Sequence, residues 1–155
     1  MIELQEVKLV EKELLYNVFQ KYKYEMTKYY EDEMDNKGNY FYKYFEDYFI
    51  EPNRKALFIK YDGKIVGFIM LNNHSCIGKK LDYAIAEFTI FPIYRQKGIA
   101  QAAISILFSQ YRGVWELKYS LNNKKAKAFW TKVTVGFNPT LNLIEDEEVI
   151  NFNNC

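Results

Sequence analysis

A strand-forming run halts at a proline and resumes as a helix at a glycine: Glu87-Phe-Thr-Ile-Phe-Pro-Ile-Tyr-Arg-Gln-Lys-Gly-Ile-Ala100. This run constrains the chain more than any other. Pro92 brings no N–H to a sheet ladder, so strand pairing ends there. Gly98 stands where the next helix begins, and Ile99, Ala100, Ala102 and Ala103 are small or apolar enough for that helix to pack closely. The N-terminus of a helix carries free N–H groups and partial positive charge, which together hold phosphate. Gly98 leaves the backbone open to close approach, and Arg95 and Lys97 add charge at the same end. A pyrophosphate site and an ordinary strand-loop-helix with a basic loop fit these residues equally well.

The flanking sequence gives the frame. Ile2 to Val10 alternates as a strand, and Leu15, Val18, Phe19 and Tyr22 follow helical spacing. Phe41, Tyr44, Phe45, Tyr48 and Phe49 form a second helical stripe, closed by Pro52 and Asn53. Lys55 to Tyr61 and Lys64 to Leu71 flank Asp62-Gly63, a favoured hairpin turn because both positions need positive φ. Asn72 to Lys80 reads as a loop and Leu81 to Phe91 as a long strand. A helix from Lys97 to Gln110, a strand from Val114 to Leu121 and a helix from Asn123 to Val133 follow. One or two strands lie between Phe137 and Phe152. The expected order is β-α-α-β-β-β-α-β-α-β, with room for one more strand. That order predicts a single mixed α/β (α+β) domain over residues 1–155.

Composition closes off other classes. The net charge is +1, so no global field attracts nucleic acid or an anionic membrane, and any anion site must be local. The apolar stretch Ile65 to Leu71 falls far short of the ~20 residues of a membrane span. Glu3, Glu6 and Lys8 interrupt any secretory leader, and with two cysteines, Cys76 and Cys155, a reducing, cytoplasmic setting is expected. His74 and Cys76 have no further ligand pair nearby, so no metal site is expected. No P-loop and no G-x-G-x-x-G occurs, which disfavours a nucleotide-binding fold of another kind.

Ile90-x-Pro92-x-x-Arg95-x-x-Gly98-x-Ala100 resembles the central motif of the GNAT N-acetyltransferase superfamily. Asn123-x-x-Ala126-x-x-Phe129-Trp130 resembles the family's second motif, at the expected distance downstream. The Ala-Glu-Phe before the first motif and the Ala-Phe-Trp in the second are similar to an uncharacterised bacterial subgroup. The resemblance implies a mostly antiparallel central sheet flanked by helices. It implies acetyl-CoA as co-substrate, with the pyrophosphate on Arg95, Gln96, Lys97, Gly98, Ile99 and Ala100. It implies a splayed strand whose backbone at Phe88, Thr89 and Ile90 meets the pantetheine arm, and a further CoA contact from Asn123, Ala126, Phe129 and Trp130. Asn123 also suits a helix N-cap.

The implied reaction is direct attack of a primary amine, from a small molecule or a protein, on the acetyl-CoA thioester in a ternary complex. Glu87 is the expected base; it would otherwise be a structural strand glutamate paired with Arg or Lys. The family often places its acid, a Tyr, where this chain has Trp130, and an indole N–H is no useful acid. Tyr119 is the expected replacement, with Tyr94 or solvent as alternatives. Lys124, Lys125 and Lys127 either meet the adenosine 3′-phosphate or form a solvated face. Tyr24, Tyr29 and Tyr30, with Tyr22 and the acidic cluster Glu31 to Asp35, either line an amine pocket or form a solvated helix end. The departure at Trp130 leaves an alternative, a CoA-binding sensor or interaction module without transfer activity. The 18% aromatic content would also support a homodimer.

Overall fold

The structure, a computed structural model, describes residues 1–155. A seven-stranded sheet in the order β1-β2-β3-β4-β5-β7-β6 runs through it. The strands are β1 (Ile2–Glu6), β2 (Lys55–Tyr61), β3 (Lys64–His74), β4 (Lys80–Ile90), β5 (Val114–Ser120), β6 (Thr140–Ile144) and β7 (Glu147–Asn153). All neighbours are antiparallel except β4 and β5. The Asp62-Gly63 hairpin forms as expected, both residues with positive φ.

The strand alternation sorts side chains into two cores. Leu57, Ile59, Ile69 and Leu71 face α2 (Ile99–Gln110) and α3 (Lys124–Thr134). Phe58, Phe68 and Met70 face α1 (Lys12–Met26), which presents Leu15, Phe19 and Tyr22 at helical spacing. Val66 to Leu71 is buried continuously because the sheet is covered on both sides there. Each such side chain contributes roughly 1.5–3 kcal/mol on leaving water. Gly67 allows β3 and β4 to close up: a Cβ there would stand 2.1 Å from the Thr89 carbonyl oxygen.

Three expectations change. The first strand stops at Glu6, and Leu9–Glu11 turns into α1. The segment Asn72 to Lys80 is not wholly loop, since β3 runs on to His74 and β4 begins at Lys80. The stripe from Phe41 to Phe49 forms no α-helix, only a 3-10 turn over Glu46–Phe49. The Gln20 side chain clamps the backbone of Tyr40, accepting from its N–H at 2.6 Å and donating to its carbonyl at 2.8 Å. Aromatic-rich sequence is a poor helix former, and Phe45 and Tyr48 reach the core without a helix while Phe41 stays 84% exposed.

Candidate active site

β4 and β5 are paired only at Tyr83↔Trp115 and Ala84↔Glu116, after which they part. Beyond that point β4 keeps its ladder to β3 on one side. The Phe91 N–H donates to the Val66 carbonyl on β3. By alternation, the peptide groups of Phe88 and Ile90 therefore face the gap toward β5. The Ile90 carbonyl confirms this direction, because it accepts from Arg95 Nε at 2.7 Å. Thr89, expected to share that role, turns its backbone to β3 instead, where it pairs with Phe68.

The gap opens into a cavity of about 1010 Å³ that reaches from the end of α1 to the start of α3. At its α2 end, Gln96 and Gly98 both have positive φ, +62° and +78°. Glycine accepts that conformation without strain. This path leaves the N–H groups of Gln96 to Gln101 without intramolecular acceptors, and no side chain caps α2. Such an array, at the positive end of a helix dipole, fits a pyrophosphate. Gln96, Gly98, Ile99 and Ala100 line the cavity; Lys97 does not, and its exposed side chain lies off the lining. Lys124 and Lys125 line it at the α3 end, while Lys127 does not.

Arg95 is bound to the protein rather than free for a phosphate. Its guanidinium forks onto the Glu25 carboxylate of α1 at 2.6 and 2.7 Å, and Nη2 also donates to the Thr89 hydroxyl at 3.2 Å. The Arg95 hydrogen bonds hold Glu25 below the usual carboxylate range. The loop that carries the anion site is thereby tied to α1.

Asn123 caps α3, its Oδ1 accepting from the Ala126 N–H at 3.1 Å, and it lines the cavity as well. Phe88 stacks on Phe129 with ring centres 5.8 Å apart and meets Trp130 edge-on at 5.4 Å. Trp130 is buried in this trio, and Ala126 gives it room. The gap is thus walled by aromatic rings on the α3 side.

Glu87 occupies the other side of the sheet. Met70 pairs with Glu87 and Leu71 with Ile85, so Ala86 is an extra residue, a β-bulge. Ile85 belongs to the α2–α3 core; without the bulge Glu87 would share that face. With it, Glu87 turns to α1 and accepts a hydrogen bond from the Tyr22 hydroxyl at 2.9 Å. Burial pushes its carboxyl above the ordinary value, against the opposing effect of the Tyr22 hydrogen bond. A partly desolvated carboxylate on a cavity wall is placed for proton transfer.

Tyr119 also lines the cavity, but it belongs to the α2–α3 face, and its hydroxyl donates to Glu148 on β7. Burial and that bond raise the phenol further above its usual value. Its proton points toward β7, away from β4.

Tyr29 and Tyr30 line the cavity and Tyr24 does not; Tyr24 lies 64% exposed on the outer face of α1. Of the acidic cluster only Asp32 lines it, paired with Lys23 at 2.9 Å. Tyr30 donates to Glu147 at 2.8 Å, and Glu147 also pairs with Lys118 at 3.3 Å. Glu25, Glu147 and Lys118 were not expected. Tyr22, Glu25, Met26 and Tyr29 recur at helical spacing, a signal that would have revealed Glu25. Glu147 reaches the site through its pairing with Ser120, which no local pattern announces.

These features define an acyl-CoA-type transferase architecture, a split sheet opening onto an uncapped helix. The sequence matches the Acetyltransferase (GNAT) family over residues 15–137. The chain belongs to that family. Solved structures agree in fold. An acetyltransferase from Thermus thermophilus superposes with TM-score 0.72 at 15% identity, over 99% of this chain and 97% of that one. The microcin C7 self-immunity acetyltransferase MccE, in complex with acetyl-CoA and AMP, gives TM-score 0.66 at 20% identity, over 98% and 92%. The PaiA N-acetyltransferase of Thermoplasma acidophilum, in complex with coenzyme A, gives 0.62 at 15%, over 99% and 99%. Comparison with curated protein sequences found no match.

Proposed function

We propose that the protein transfers the acetyl group of acetyl-CoA to a primary amine by direct attack in a ternary complex, with Glu87 as general base. The observation that carries this reading is the placement of Glu87, half-buried and held by Tyr22, on the wall of the cavity into which the uncapped α2 terminus opens. In this reading the N–H groups of Gln96 to Gln101 hold the pyrophosphate, and Lys124 and Lys125 the adenosine phosphate. The exposed peptide edge at Phe88 and Ile90 orients the pantetheine arm against Phe129 and Trp130. Bound there, acetyl-CoA supplies an activated thioester.

The remaining work belongs to the chain. The Ile90 N–H faces the gap and is the donor available to a developing oxyanion. Glu87 accepts the proton of the attacking amine, and Tyr22 keeps its carboxylate oriented. The thiolate leaves without a dedicated acid and takes its proton from solvent, since a free thiol of pKa ~8.5 is a fair leaving group. Tyr29 and Tyr30 line the acceptor's approach. The acceptor is a small-molecule or protein amine, and aminolysis calls on no metal. Two exposed free cysteines fit a reducing cytoplasm, where acetyl-CoA is made and spent. No helix is long and apolar enough to cross a membrane.

The test is release of free thiol from acetyl-CoA with a panel of primary amines, run beside acetyl-CoA binding followed by thermal shift. Amine-dependent thiol release that Glu87→Gln removes, with binding intact, is the expected result. Binding with no amine-dependent release would overturn the reading.

A further inference from the structure

The sheet ends in two edges, and the sequence treats them differently. β1 carries Glu3 and Glu6, and charged side chains keep an edge from pairing with another chain. β6 reads Thr140-Leu-Asn-Leu-Ile144, with no charge, proline or glycine, and every one of its residues is exposed. Leu141 is 57% and Leu143 66% exposed. No backbone group of β6 bonds outside its ladder to β7.

The direction of its free groups follows from the neighbouring strand. The Leu121 N–H donates to the Asp146 carbonyl, so the even-numbered residues of β7 turn their peptide groups to β5. The odd-numbered ones, Glu147, Val149 and Asn151, then bond to Ile144, Asn142 and Thr140. That leaves the N–H and C=O of Leu141 and Leu143 pointing off the sheet.

A two-fold axis through Asn142 satisfies all of these groups. Leu141 of one copy then stands opposite Leu143 of the other, and the reverse, and each such pair exchanges both of its hydrogen bonds. The leucines of both copies share one face of the joined sheet, and Thr140 meets Ile144 across the other. Other registers are worse. Centring on Leu141 sets Pro139, which has no N–H, against Leu143. Centring on Leu143 sets the turn residue Glu145, with φ +55°, against Leu141. Parallel pairing brings the acidic tips, Glu145 to Glu148, side by side, whereas antiparallel pairing holds them at opposite ends of the contact.

We propose that β6 is the interface between two copies of this chain, joined antiparallel about Asn142 into one continuous sheet. Any strand could use the free peptide groups; the run Leu-Asn-Leu, which reads the same in both directions, commits the edge to itself. The contact is one strand wide, which places it among weak, reversible interfaces. It braces the hairpin that carries Glu147 into the cavity, since Ile144 pairs with Glu147. Nothing in it depends on the role of Glu87.

Sedimentation velocity of the full chain, over a concentration series reaching ~1 mM, reads the equilibrium. Wild type should pass from monomer to dimer. Leu143→Pro deletes an N–H that β7 does not use, so the monomer should melt as wild type does. The dimer loses one bond on each side of the axis, and self-association should weaken roughly 30-fold. If Leu143→Pro does not fold, Leu143→Lys decides, because it charges the edge and leaves every backbone group in place. The register is read by mild oxidation in a chain carrying Cys76→Ser and Cys155→Ser. Asn142→Cys should cross-link to its own copy, since facing residues of a non-hydrogen-bonded pair lie about 4.5 Å apart between Cα atoms. Leu141→Cys should not, because its own copy stands two residues further along. A monomer at every concentration overturns the proposal. So does a dimer that both Leu143 variants leave intact, and so does cross-linking through Leu141→Cys in preference to Asn142→Cys.

Discussion

Along the α2 side of the cavity the protein presents main chain: the N–H groups of Gln96 to Gln101 and the peptide edge of Phe88 and Ile90. Along the α1 side it presents side chains: Tyr22, Tyr29, Tyr30, Glu87 and Glu147. A backbone site is set by φ, by a helix start and by where a strand loses its partner. A side-chain site is set by whichever residues the packing brings together. The first can stay constant while the second is remade, which suits a protein that keeps one activated donor and adapts to an acceptor.

The sharpest way to break this division is at Glu87. Glu87→Gln should lower amine-dependent turnover by roughly 10²- to 10⁴-fold, the usual worth of a general base. Acetyl-CoA binding, by thermal shift, should be unchanged. A variant that lost binding as well would mean the two sides are one site.

The converse experiment is Gly98→Val. The +78° φ of Gly98 is strained for any side chain, and the strain falls on the anion loop. Ligand at ~100 times its dissociation constant should stabilise wild type by about 2.7 kcal/mol. In the variant most of that should vanish, while the spectroscopic signature of the fold persists.

The Arg95–Glu25 fork crosses the division. Glu25→Gln should destabilise the protein by about 1 kcal/mol or less, since both side chains keep solvent contact. The folded Glu25 pKa is depressed, so this stabilisation exists above about pH 4.3 and is lost as pH falls through the folded value. Melting curves of the two proteins should converge in acid and in high salt.

Glu87 has the opposite sign. Its folded pKa is raised, so the native state holds the proton longer and stability declines as pH climbs from about 4.3 to the folded value. Glu87→Gln should therefore melt above wild type at neutral pH, with the gap closing in acid. The smallest effect is Tyr24→Ala: within about 0.5 kcal/mol in stability and no change in turnover, as befits a side chain outside the cavity.

The same division governs what the sequence discloses. The Pro92-to-Gly98 passage, the second motif and the Asp62-Gly63 turn are local, so their structure is readable from spacing. Tyr22, Glu25 and Glu147 come together over long distances in sequence, through a helix packed on one end of the sheet and a strand paired at the other. The Phe41-to-Phe49 stripe misleads because Phe45 and Tyr48 reach the core from a 3-10 turn, so helical spacing is met without an α-helix. Lys97 shows the limit within a good motif: its place in the loop is right, but its side chain leaves the lining. The face of Glu87 was undecidable, because a bulge at Ala86 has no marker among alanine and isoleucine neighbours.

That bulge has a consequence for how such chemistry is gained or lost. No substitution at Glu87 or beside it moves the carboxylate to the other side of the sheet. Nor does loss of the one supernumerary residue: without Ala86, Ile85 still stands opposite Leu71 and Glu87 opposite Met70, in a ladder that is merely regular. A lineage carrying this site can therefore lose that one codon and keep the carboxylate facing α1.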